Sequence, residues 1–84
     1  GQLWFQARVE WGGNALMRLI FRNKEAKDEI VAWLDRAGCI CEGFPTYSMV
    51  ALSVPPEADQ GAIQAYLLQR EHAGDVYVEE AILR

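Results

Sequence analysis

The sequence predicts an α+β domain in which two amphipathic helices cover one face of a mainly antiparallel sheet. Three observations carry that prediction. From Leu3 to Trp11 apolar and polar residues alternate, which is the period of a half-buried strand. Two later stretches, beginning after Asn23 and after Asp59, repeat apolar residues at helical spacing, and each closes at a glycine, Gly38 and Gly74. The segments between and after them are short β-branched or apolar runs bounded by turn residues, the pattern of strands.

The first strand sets Leu3, Phe5, Ala7, Val9 and Trp11 on one face and Gln2, Trp4, Gln6, Arg8 and Glu10 on the other. Gly12, Gly13 and Asn14 tolerate positive φ and suit a tight reversal into a second strand, Ala15–Arg22. There Met17, Leu19 and Phe21 share one face, and Leu16, Arg18, Ile20 and Arg22 the other. Asn23 is a good N-cap for a helix whose inner stripe is Ala26, Ile30, Trp33, Leu34 and Ala37. Gly38 ends it, and a short strand follows from Cys39 to Glu42.

Turn residues Gly43, Phe44 and Pro45 lead into a more buried strand, Thr46–Val54, stopped by Pro55 and Pro56, which cannot donate to a ladder. Asp59 caps the second helix, with Ala62, Ile63, Tyr66 and Leu67 as its inner stripe. After Gly74, Val76–Leu83 is the last strand. The last six elements follow the split βαβ order called ferredoxin-like, βαββαβ, with one extra N-terminal strand. In such a sheet the strand Ala15–Arg22 is central, so a hairpin from Leu3–Trp11 competes with the last strand for its side. The extra strand is expected to add to an edge, to insert between the second and last strands, or to pair with another copy of the chain.

The whole chain, residues 1–84, is expected to be a single domain, because one core uses most of the apolar side chains available at this length. A hydrophobic fraction of 51% supports that core without metal or disulfide staples. The net charge of -4 works against a sequence-independent grip on nucleic acid. The basic residues Arg18, Arg22, Lys24 and Lys27 fall close together while Asp75, Glu79 and Glu80 make the C-terminal end acidic, so a polarised surface is expected. Cys39 and Cys41 are too constrained as strand neighbours to reach disulfide geometry, which fits a reducing cytoplasm. No stretch reaches the length of a membrane-spanning helix and no signal-peptide pattern opens the chain, so it is expected to be cytoplasmic and off the membrane.

Several segments occur together in a telling order: LWF at Leu3–Phe5, GGNALMRLIF at Gly12–Phe21, AGC at Ala37–Cys39, EG at Glu42–Gly43, VALSVPPEAD at Val50–Asp59 and VEEAIL at Val78–Leu83. In these the chain resembles the C-terminal portion of a family of small bacterial proteins of unknown function, marked by a VPPEAD-like segment and a terminal YEEA-like one. The resemblance spans almost the whole chain and about the latter half of a typical member. It departs at Val78, where the family often has tyrosine. It implies an N-terminal β-rich portion beyond the first strand, and it implies no activity.

The residues able to carry chemistry do not converge. His72, the single histidine, sits near the end of the second helix, where a solvated residue favourable to the helix dipole is the simpler reading. Cys39 and Cys41 would need two further ligands to close a metal site, and they follow a helix C-terminus, where the dipole disfavours a thiolate. They read as structural thiols. Glu79 and Glu80 point to opposite faces of a strand and cannot act on one substrate. No catalytic residue, cofactor or metal is expected.

The interaction residues expected are Trp4, Arg8, Arg18, Ile20 and Arg22, on the sheet face away from the helices. Tryptophan and arginine there supply large contact area with a polar or cationic handle. The expected function is a non-enzymatic protein-interaction module, in one form an inhibitor or immunity-type protein whose acidity competes for a basic target site. Its partner would be a protein, another copy of itself in a homodimer, or a missing N-terminal domain. The alternatives are a small-ligand-sensing regulatory domain and a sheet-platform binder of single-stranded nucleic acid, against which the net acidity counts.

Overall fold

A computed structural model describes residues 15–43 and 48–80. Six elements follow one another: β1 (Ala15–Phe21), α1 (Lys24–Arg36), β2 (Ile40–Gly43), β3 (Met49–Val54), α2 (Gln60–His72) and β4 (Val76–Glu80). The strands form one antiparallel sheet in the order β2-β3-β1-β4, the ferredoxin-like arrangement. The expected strand Leu3–Trp11, with Trp4 and Arg8, lies outside the described residues, as do the Gly12–Asn14 turn and the ends of two expected strands, Thr46–Tyr47 and Ala81–Leu83.

β1 is central, as the topology requires. Leu16, Arg18 and Ile20 lie opposite Ser53, Ala51 and Met49 of β3, while Arg18, Leu19 and Ile20 lie opposite Glu79, Val78 and Tyr77 of β4. The direct β1–β4 pairing overturns one of the three places considered for the extra strand: nothing is inserted between these two.

Local chemistry explains the element boundaries. Asn23 accepts the Ala26 N–H at 2.8 Å and Asp59 accepts the Ala62 N–H at 3.1 Å, so both predicted N-caps satisfy donors of the first helical turn. Both helices end in the same two-bond closure at a glycine with positive φ, 93° at Gly38 and 81° at Gly74. In the first, the Gly38 N–H donates to Asp35 and the Cys39 N–H to Leu34; in the second, Gly74 donates to Glu71 and Asp75 to Arg70. Cys39 thus belongs to the helix closure, which is why β2 begins at Ile40 rather than at Cys39. Similarly β1 ends at Phe21, and Arg22 turns away with its N–H on the Asp75 carbonyl.

The core lies between the sheet and the helices. Met17, Leu19 and Phe21 of β1, Val50, Leu52 and Val54 of β3, and Val76 of β4 face Ile30 and Leu34 of α1 and Ile63 and Leu67 of α2. Ala26, Ile30 and Leu34 are buried as the spacing predicts, with Trp33 and Ala37 half-buried at the margin. Ala62 departs from the expected stripe and is exposed, so the buried side of α2 narrows to Ile63 and Leu67 flanked by Tyr66. Where α1 meets α2, the half-buried Trp33 and Tyr66 rings stack with centroids 3.9 Å apart and planes 5° from parallel.

Candidate functional site on the helix-free sheet face

Because side chains alternate along a strand, burial of the odd residues of β1 places Arg18 and Ile20 on the face without helices. The cross-strand register then assembles two rows across that face. One reads Glu42, Ala51, Arg18, Glu79 from β2 to β4; the next reads Met49, Ile20, Tyr77 from β3 to β4. Ile40 sits beside Ser53 at the β2 side. Tyr77 and Ile40 are each 58% exposed, while Ile20, Met49 and Ala51 are half-buried between them. The result is an apolar strip crossed by one charged row.

Arg18 is not a free cation. Its Nε donates to Glu79 Oε1 at 2.7 Å across the β1–β4 pair. At the end of the same pair, Arg22 Nη2 donates to Asp75 Oδ1 at 2.6 Å. The expected polarised surface is therefore corrected. Antiparallel pairing of β1 with β4 brings the basic segment directly against the acidic one, and the charges offset each other locally. Lys24 likewise pairs with Asp28 one turn along α1, at 2.9 Å.

Asp75 continues the network inward. Its second oxygen accepts from Arg70 Nε at 3.1 Å, and Arg70 Nη2 also donates to Glu29 Oε1 at 2.6 Å. The Arg70 guanidinium lies 5.8 Å from the centre of the Tyr66 ring, joining this network to the aromatic stack. Arg22, Asn23, Glu25, Glu29, Arg70 and Asp75 line a polar cleft of about 320 Å³ where β1 ends and α1 begins.

Of the five predicted interaction residues, the structure places Arg18 in the charged row, Ile20 in the apolar row beside it, and Arg22 just past the end of β1. Trp4 and Arg8 lie outside the described residues. Sequence reasoning missed Ile40, Glu42, Met49, Ala51 and Tyr77. The signal was present as alternation in Met49–Val54 and Val76–Glu80, but which strands stand beside β1 depends on topology.

The other candidates are dispersed. Burial first, and nearby Asp35 second, push the Cys39 thiol up to about 11 and the Cys41 thiol to about 12, so both hold their protons at neutral pH. Both are free cysteines, Cys39 buried and Cys41 half-buried beside Leu52. His72 is the exposed last residue of α2. Among the described residues no group of three or more His, Cys, Asp or Glu side chains is placed to hold a metal ion, and no helix is long and apolar enough to cross a membrane.

A family model described as Domain of unknown function (DUF4265) matches residues 1–77. The chain belongs to that family. The match takes in both helices, β1 to β3 and the start of β4, and stops at Tyr77 of the sheet face. No curated protein and no solved structure gives a significant match to this DUF4265 domain.

Proposed function

We propose that the domain is a non-enzymatic protein-interaction module that docks a partner on its helix-free sheet face. The observation that supports this is the apolar strip of exposed Tyr77 and half-buried Ile20 and Met49, with exposed Ile40 at the β2 side, around a single charged row. Exposed aromatic and aliphatic side chains in register on a rigid sheet provide desolvation on binding, and the charged row provides orientation. Two carboxylates, Glu42 and Glu79, flank one guanidinium, Arg18, in a chain of net charge -4. The fitting partner is thus a protein surface that presents apolar side chains beside lysine or arginine.

An inhibitor or immunity-type role is one form of this reading, since an acidic face competes for a basic target site. The resemblance in the VPPEAD segment supports a bacterial source, and the two free thiols support a cytoplasmic setting. The test is the complex that the chain forms in its native host, purified and defined in composition by mass spectrometry and light scattering. Tyr77→Asp and Glu79→Lys weaken that complex at least about tenfold, as hot-spot changes do, while Leu68→Asp on the exposed side of α2 leaves it intact. A complex indifferent to both sheet-face changes would rule the reading out.

A second reading, a small-ligand-sensing domain, has its support in the cleft beside Arg22, where guanidinium, amide and carboxylate groups converge. It calls for a thermal-shift screen with charged metabolites. No stabilisation by any of them counts against it.

A further inference from the structure

The two lateral edges of the sheet differ. At β4, the Glu71 carboxylate of α2 reaches over and accepts the Val78 N–H at 3.4 Å, so a backbone donor of that edge is already engaged by an acidic side chain. Such an arrangement blocks the approach of another strand. At β2, no strand among the described residues pairs on the side away from β3. Ile40 is 58% exposed, Glu42 and Gly43 are exposed as well, and a Cβ built on Gly43 would meet nothing within 4 Å. Alternate residues of such a strand direct both N–H and C=O away from its partner, β3.

We infer that the β2 edge accepts an extended segment of the partner protein as an added strand, one with an apolar residue and a basic residue two positions apart. The inference rests on the interaction reading above and names how the partner's backbone engages. Ile40 and Glu42 share the helix-free face, so an added strand sets its own residues roughly 5 Å from each of them, side by side with Ile40 and with Glu42. An aliphatic side chain beside Ile40 extends the apolar strip, and a lysine or arginine beside Glu42 pairs with a carboxylate that no hydrogen bond or ion pair among the described residues engages. Backbone bonds supply affinity and these two contacts supply selectivity. A second copy of the chain fits less well, because it brings another Glu42 to the same edge and a further net charge of -4.

The test uses the full isotopically labelled chain, titrated with a peptide of Val-Thr-Lys-Thr repeats (Val-Lys), which sets valine and lysine two positions apart on one face, and, as control, one of Val-Thr-Glu-Thr repeats (Val-Glu), while amide exchange and chemical shifts are read residue by residue. Val-Lys slows exchange of the outward amides within Ile40–Gly43 about tenfold or more, and Val-Glu does not. Glu42→Lys, an exposed change that the fold tolerates, reverses the preference between the two peptides. Absence of protection at Ile40–Gly43 overturns the inference, and so does a preference that Glu42→Lys leaves unchanged. Slow exchange at those amides before any peptide is added overturns it too, because the edge is then already filled. Shifts confined to Ile20 and Tyr77 remove the edge while leaving the sheet-face reading standing, and that reading fails separately, through Tyr77→Asp.

Discussion

Cys41 shows how position decides chemistry at the level of one side chain. It follows a helix, sits on the helix-facing side of β2 opposite Leu52, and lies near Asp35, so neither solvent nor a cation stabilises its thiolate. Its thiol and that of Cys39 are held at about 12 and about 11, above an ordinary value of 9.0. The consequence for stability has a definite sign. Below pH 9 the folded and unfolded chains both keep these protons, and the contribution is complete. As pH rises from there through the folded values, the unfolded chain releases protons that the folded chain retains, so stability falls across that window. Replacing Cys41 with alanine makes the alkaline fall shallower, as measured by urea unfolding at a series of pH values. An unchanged slope would mean that Cys41 is not shielded as described. The thiol pair was legible in the sequence as structural because residues just after a helix C-terminus face the negative end of its dipole and have no base beside them in the chain.

At the scale of elements, both helices are bracketed by the same devices, an Asx cap at the start and a left-handed glycine at the end. These were readable because each depends on a few consecutive residues: Asn23 and Gly38, Asp59 and Gly74. The glycine requirement is conformational, since nothing lies within 4 Å of a Cβ built at Gly74, yet φ there is 81°. Gly74→Ala therefore costs about 1–2 kcal/mol through backbone strain alone, without any steric clash. Chemical denaturation measures it, and a neutral result would mean that the α2 closure relaxes into another turn. The strand boundaries were less legible, because Cys39 lends its N–H to Leu34 in the helix closure rather than to a ladder. The width of the α2 stripe was also overread: Ala62 has the right spacing, but in the first turn it stands out in solvent.

For the molecule as a whole, the order β2-β3-β1-β4 places β1 and β3 inside the sheet with partners on both sides. Amide exchange in the isolated chain is accordingly slowest in Met17–Phe21 and Val50–Val54 and fastest among the strands in Ile40–Gly43, with residue-resolved exchange as the measurement. A β2 as protected as β1 would contradict the edge position. The fold class followed from periodicity because each element's burial pattern is local. The functional face did not, because it joins residues as distant in the chain as Arg18 and Glu79, or Ile20 and Met49. The same long-range pairing turned an expected polarised surface into a series of ion pairs.

The alternation within β1 divides the molecule into two sets of positions under separate constraints. Met17, Leu19 and Phe21 answer to the helices above them, while Arg18 and Ile20, with Ala51, Met49 and Tyr77 beside them, answer to whatever lies below. Substitutions in the second set leave the core untouched, so one scaffold can be retuned to unrelated partners, by selection in nature or by randomised libraries. A single-residue insertion in the middle of β1 does the opposite: it exchanges the two sets beyond that point and ruins both at once. Variation on this scaffold should accordingly accumulate as replacements on one side of the strand, with its length held constant.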